Sequence, residues 1–343
     1  MKDQLETVEK QLQQIVNMLI INGSLLGNSG LWYGKTGVAI FFFHYARYTN
    51  IELFEDYAVE IIDAMQAEIH RDSAANYCRG LSGIGVGIEY LSQKRFLGGD
   101  MNEILEDFDQ RIRHDIMYRT QENNSLANGL SGLGQYLLYR LQSHSGSSNE
   151  LCLLINQESM MHVVNLIENE NDLKTDDLPD ILSFLCRLYT LDFCNPKIDR
   201  CIDKILDNFS VNTIKKELLP AWVLALLRLS SIRGQMTDAA LQTMEKSLQV
   251  FSMNEETPSK KDPADSINQL LWLLQCKKLL NSTNINVEMD KMIDALTENV
   301  FCWKEDEVLF QKGKLSLKGY AGIGLAMMIL SGKCDDAWLD LLG

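Results

Sequence analysis

Apolar residues in this chain gather into seven runs of helical length: Val38–Ala46, Ile84–Leu91, Leu133–Leu141, Ile181–Leu188, Trp222–Leu229, Ile267–Leu274 and Ile323–Leu330. Between them lie segments with a single apolar stripe, as in Ala58, Ile61, Ile62 and Met65, where the 3.6-residue period predicts an amphipathic helix. The stretches Ile51–His70, Met101–Arg119, Ser159–Glu168, Lys197–Phe209, Thr237–Phe251 and Val287–Val300 all read this way. Residues following Met1 predict a further polar amphipathic helix. Period-two alternation, the mark of a half-buried strand, is missing. The polar segments Gln121–Ser125, Ser143–Asn149 and Asn254–Asp265 read as loops. The unit is a helical hairpin repeated along an all-α chain.

Four of the apolar runs open on near-copies of one segment. These are Gly34-Lys-Thr-Gly37-Val-Ala, Gly80-Leu-Ser-Gly83-Ile-Gly, Gly129-Leu-Ser-Gly132-Leu-Gly and Gly319-Tyr-Ala-Gly322-Ile-Gly. Self-similarity at a fixed period marks a repeat architecture. Pro179, Pro220 and Pro263 fill the gap between the third and fourth copies, each ahead of an apolar run. Proline suits the first turn of a helix, where its missing N–H is an orphan anyway and its φ is already helical. The seven repeat starts therefore fall near 37, 83, 132, 179, 220, 263 and 322, within one domain over residues 1–343. Glycine at a helix start permits positive φ and close backbone approach, so crowded helix ends account for the motif without a ligand.

Charge narrows the function. A formal net charge of −15 argues against nucleic acid, which demands a basic footprint, and against an anionic membrane surface. No apolar run reaches the length of a membrane span, and no secretory signal is visible. Eight cysteines without a C-x-x-C pair read as reduced thiols, so a cytoplasmic setting is expected.

With its glycine segments in phase, the chain resembles the lanthionine synthetase C-like family from about residue 20 onward. The resemblance rests on Leu31–Ile40, Gly80–Leu91, Gly129–Gly134 and Leu315–Leu325. It implies an α/α toroid of seven helical hairpins, with an inner and an outer helix ring. It also implies a chemistry, in which zinc activates a peptide cysteine thiolate for addition to a dehydrated serine or threonine. In the family the ligands are a cysteine two residues before one late repeat's first glycine and a Cys-His pair before the next. Here the equivalent stretches read Lys215-Lys-Glu-Leu-Leu-Pro220 and Pro258-Ser-Lys-Lys-Asp-Pro263, without cysteine or histidine. All five histidines lie in the first half, and no Cys-His pair occurs. The expectation is thus a protein without a cofactor or metal site. It would serve a peptide-modification pathway by binding a precursor peptide or a pathway enzyme. Two alternatives stay open: an active thioether-forming cyclase with relocated zinc ligands, and a toroidal hydrolase acting on glycans.

Several residues bear on that expectation. Cys78-Arg79 has the ligand register in the second repeat, but a guanidinium cannot ligate a metal. Beside a helix start, the Cys78 thiol is expected to have a lowered pKa. Trp32, Tyr33, Lys35, Cys78, Arg79, Asn128, Lys318 and Tyr320 all lie within two residues of a first glycine. Together they form an aromatic, basic and amide set that suits a peptide. His44, in an apolar helix, reads as a hydrogen-bonded core residue, and His70 and His114 as helix-end cations. Acidic residues such as Glu103–Asp109 and Asp176-Asp177 read as a solvated face, whereas a glycan hydrolase needs two carboxyls facing each other.

Overall fold

The computed structural model describes residues 2–118, 123–143, 150–207, 209–234, 238–253, 263–280, 289–296 and 314–343. Among the described residues there is no strand. The helices are α1 (Lys2–Asn22), α2 (Lys35–Thr49), α3 (Leu53–Glu68), α4 (Leu81–Gln93), α5 (Met101–Ile104), α6 (Glu106–Tyr118) and α7 (Leu130–Ser143). They continue with α8 (Glu150–Asn169), α9 (Leu178–Tyr189), α10 (Asn195–Asp207), α11 (Leu219–Arg233), α12 (Asp238–Met253), α13 (Pro263–Leu279) and α14 (Tyr320–Leu330). Residues 289–296 are also helical, and the 3-10 segment Ala337–Leu342 follows α14. Every expected helix is present, the Met101–Arg119 stretch as two pieces interrupted at Leu105. Of the expected loop Asn254–Asp265, residues 254–262 lie outside the described residues, and the rest already belongs to α13. Arg119, Gln121, Glu122, residues 144–149, Thr237 and the ends of Val287–Val300 also lie outside them.

The chain divides into two compact units. The first holds Met1–Ala74, Cys78–Gly98 and Lys261–Leu342, the second Ala75–Tyr77, Gly99–Lys260 and Gly343. In the first, α2 packs against α4 and α14, α13 against α14, α3 against α2 and α1 against α14. In the second, α9 lies against α7 and α11, with α8, α10 and α12 flanking them. The helices that open on glycine or proline form the cores. In α2 every residue from Lys35 to Ala46 is buried, whereas α3 buries one stripe, Ala58, Ile61, Ile62 and Met65.

The glycine motif sits where the sequence places it, but for one reason rather than two. Gly34, Gly80 and Gly319 are the N-cap residues of α2, α4 and α14, all with negative φ. Positive φ occurs instead at Gly99, Gly234, Gly332 and Gly343. Close approach is what demands glycine in the motif. A Cβ on Gly319 would lie 1.8 Å from the Lys314 carbonyl oxygen, one on Gly322 2.0 Å from that of Leu317, and one on Gly132 2.2 Å from that of Leu126. Two residues past the second glycine, Gly324 gives way to the Phe41 ring and Gly134 to Phe184, each with a would-be Cβ under 3.0 Å away. Pro179 and Pro220 occupy the first turns of α9 and α11, and Pro263 begins α13.

Two acidic segments are less solvated than expected. Asp109 on α6 is buried and pairs with Arg140 of α7, 2.9 Å apart, while accepting a 2.7 Å bond from the Tyr136 hydroxyl. Asp177, also buried, accepts the Asn124 N–H. Both carboxylates are tied to neighbouring repeats, which offsets their cost of burial.

Candidate functional site

The core helices α2, α4 and α7 are each preceded by a turn whose main chain folds back on the helix start. The first N–H of α2, α4 and α7 donates to the carbonyl seven residues earlier: Lys35 to Asn28, Leu81 to Ala74 and Leu130 to Asn123, at 2.9–3.0 Å. In two copies the hydroxyl before the second glycine repeats the spacing, Thr36 bonding Ser29 O and Ser131 bonding Asn124 O. Helix starts carry N–H groups that need acceptors, and here the chain's own loop supplies some of them. Such a motif holds architecture together rather than cradling an anion.

Within the first unit these turns are stitched to one another. The Lys318 N–H donates to Trp32 O and the Trp32 N–H to Cys78 O, both at 3.1 Å. In the second unit Tyr77 N–H donates to Ala127 O at the same distance. Trp32 lies at the junction of the first-unit turns, buried, with its indole N–H on Leu341 O at 2.9 Å. The Lys318 ammonium stands 3.3 Å from the Trp32 ring centroid, and the Arg79 guanidinium 5.4 Å from that of Tyr33. The two rings meet edge to face at 6.4 Å. Cation–aromatic stacking of this kind fixes long basic side chains in place. Arg79 is exposed, and Tyr33 and Lys318 are half-buried.

The other expected residues stand apart from that group in their roles. Lys35 is buried, and its ammonium pairs with Glu68 of α3, which also accepts the Ser29 hydroxyl. Tyr320 is buried as well, and burial raises its phenol pKa. Asn128 belongs to the second unit and is exposed, its N–H on Ser125 Oγ. Cys78 corrects an expectation: it is 6% exposed, and its pKa is raised, not lowered. Burial dominates, and the charges of Arg79 and Lys318 offset it only in part.

Sequence reading missed Asn28 and Ser316. The Asn28 side chain bonds Tyr33 O and Gly30 N–H. Ser316 Oγ sits 2.7 Å from Gly34 O and 3.1 Å from Leu31 O. Their only signal was the turn chemistry of Gly27-Asn-Ser-Gly30 and Leu315-Ser-Leu.

At the described ligand register, Lys215–Pro220 offers ammonium groups and the exposed Glu217, with Lys215 paired to Asp176 at 2.7 Å. Those donors do not fit zinc, which takes thiolate, imidazole or carboxylate in a tight tetrahedron. Pro258–Asp262, His144 and Cys302 lie outside the described residues. Among the described residues no three His, Cys, Asp or Glu side chains gather as a metal site, and no helix is long and apolar enough to cross a membrane.

The comparisons with known proteins agree with this architecture. Residues 26–180 match the family model described as lanthionine synthetase C-like protein. No curated protein sequence matches the chain. Among solved structures, that of nisin cyclase matches with a TM-score of 0.68 and 14% identity, covering 100% of this chain and 98% of that one. The match extends the α/α-toroid fold beyond the glycine-rich repeats and through the proline ones. Residues 26–180 are thus similar in sequence to lanthionine synthetase C-like proteins, and the chain shares the α/α-toroid fold of nisin cyclase along its length.

Proposed function

We propose that this protein serves a lanthipeptide-type modification pathway by binding a peptide, without acting as a zinc cyclase. The observation that carries the reading is the group around Trp32. Tyr33, Arg79 and Lys318 remain accessible on turns that main-chain hydrogen bonds hold in register. A preformed surface of tyrosine and guanidinium binds a peptide with little ordering cost, since its side chains are already positioned. The lysines and glutamate at Lys215–Pro220 support the second half of the reading. The seven cysteines among the described residues are free thiols, which supports a reducing, cytoplasmic setting.

The test uses a synthetic peptide carrying dehydroalanine and cysteine, with binding followed by fluorescence anisotropy and metal content by mass spectrometry. Binding is expected without stoichiometric zinc and without ring closure. Arg79→Ala and Lys318→Ala should each weaken it about tenfold, equivalent to about 1.4 kcal/mol. One zinc per chain together with thioether formation would establish the cyclase alternative. Failure of the wild-type protein to bind, or binding untouched by both substitutions, would remove the proposed surface.

A further inference from the structure

His44 of α2 and Cys334, beyond α14, meet within the first unit, with Sγ 3.3 Å from Nδ1. The other imidazole nitrogen, Nε2, lies 2.7 Å from the Tyr90 hydroxyl of α4. His44 is 6% exposed, while Cys334 is half-buried, its Sγ also 3.2 Å from Asp335 O. Phe96 packs edge-on against the imidazole at 4.9 Å. Arg47 lies over Phe96 and donates to Lys94 O, and Lys94 pairs with Asp335 at 2.8 Å.

We propose that Cys334 is a thiol nucleophile with His44 as its base and Tyr90 as the group that orients the imidazole, and that it takes small uncharged conjugate acceptors. With the Nε2 proton donated to Tyr90, Nδ1 keeps a lone pair facing the thiol. As sulfur bonds the β-carbon, the acceptor's π bond breaks and the S–H proton passes to Nδ1. The imidazolium then returns that proton to the α-carbon. Atoms and charge balance without an oxidant, a reductant or a second thiol. The acceptor is uncharged because the charges around the thiol oppose one another, Lys94 and Arg47 against Asp335 and Asp336, and an aromatic ring, Phe96, packs beside the imidazole. Holding the chain end does not require the thiol. That segment is fastened by Lys94–Asp335, Lys278–Asp340 and the bonds from Trp32 and Gln275 to Leu341 and Leu339.

The electrostatics require the base. Burial lowers the His44 pKa to about 4, with Asp335 raising it and Arg47 and Lys94 lowering it further. Burial, with Asp335 and Asp336, pushes the Cys334 thiol up to about 12, against the pull of Lys94 and Arg47. At neutral pH the pair is a thiol beside a free imidazole, so free thiolate is scarce. Base-assisted addition is then independent of pH between those values, whereas addition through free thiolate rises about tenfold per unit below the thiol pKa.

The experiment labels the protein with limiting N-ethylmaleimide at pH 6, 7 and 8 and maps each cysteine by mass spectrometry. Cys334 should label at one rate across that range, while the half-buried Cys194, whose thiol pKa is pushed up by burial, speeds up about tenfold per unit. His44→Gln should slow Cys334 about a hundredfold at pH 6, the low end of general-base assistance, and restore the steep profile. An unchanged Cys194 rate shows that the variant is folded. Should it unfold, exposing Cys186 and Cys276, the wild-type profile decides alone. A Cys334 rate that climbs tenfold per unit in the wild-type protein, or one that His44→Gln leaves unchanged, overturns the proposal. The outcome is independent of peptide binding at Trp32.

Discussion

Truncating Asp109 to alanine tests how far the second unit depends on its buried ion pair. The carboxylate accepts from Tyr136 Oη at 2.7 Å, Arg140 Nε at 3.2 Å and Arg140 Nη2 at 2.9 Å. The Arg140 side chain is 0% exposed and that of Asp109 6%. Asp109→Ala removes the countercharge while the guanidinium stays out of water, a situation that costs about 3–5 kcal/mol. Total stability is only about 5–15 kcal/mol, so the loss is a large share of it. At a urea dependence of about 2 kcal/mol per M, the midpoint should fall by about 1.5–2.5 M, read by circular dichroism at 222 nm. Arg140→Met alone should be similarly harmful, because it strands the carboxylate. The double variant leaves no stranded charge and should cost at least about 2 kcal/mol less than the sum of the singles. A midpoint shift below about 0.5 M for Asp109→Ala, or additivity in the cycle, would refute the reasoning.

Two further outcomes follow from the geometry. Gly322→Ala drives a methyl to within 2.0 Å of Leu317 O and should destabilise by more than about 2 kcal/mol. Gly98→Ala meets nothing within 4 Å and should be neutral or stabilising by about 0.5 kcal/mol in the same urea titration; equal effects at both sites would discount crowding as the reason for the motif. His44, held neutral by burial with a pKa of about 4, takes up a proton in the unfolded chain at about 6.5. The unfolded state thus binds more protons between those values, and stability should fall as pH drops from about 6.5 to 4, by up to about 3 kcal/mol. His44→Gln should flatten that part of the stability–pH curve, and an unchanged slope would show that His44 does not set it.

The fold was legible because the glycine motif and the helical period are local signals. Gly34, Gly80 and Gly319 mark N-caps wherever the preceding turn crowds the helix start, and Pro179, Pro220 and Pro263 mark the same places by backbone geometry. What lay beyond reach was pairing across long sequence separations. Lys35 read as part of a peptide-binding set because nothing local shows Glu68 beside it. Cys78 was expected to have a lowered pKa because its helix start is local, whereas the burial that outweighs it is not. Asp109 and Asp177 looked like solvated charges until the partner segments arrived. Cys334 and His44, 290 positions apart, carried no shared signal in the sequence.

The main-chain bonds that stitch Lys318, Trp32 and Cys78 together impose an order on synthesis. The first unit is assembled from both ends of the chain, and the Trp32 indole waits for an acceptor 309 positions downstream. The second unit is nearly continuous, from Gly99 to Lys260. On a ribosome its helices can dock as they emerge, while α2 and α4 remain without α13 and α14. Their apolar faces are then a chaperone's problem until translation passes Leu341. Early termination within the last repeat would leave the second unit almost whole and the first unable to close.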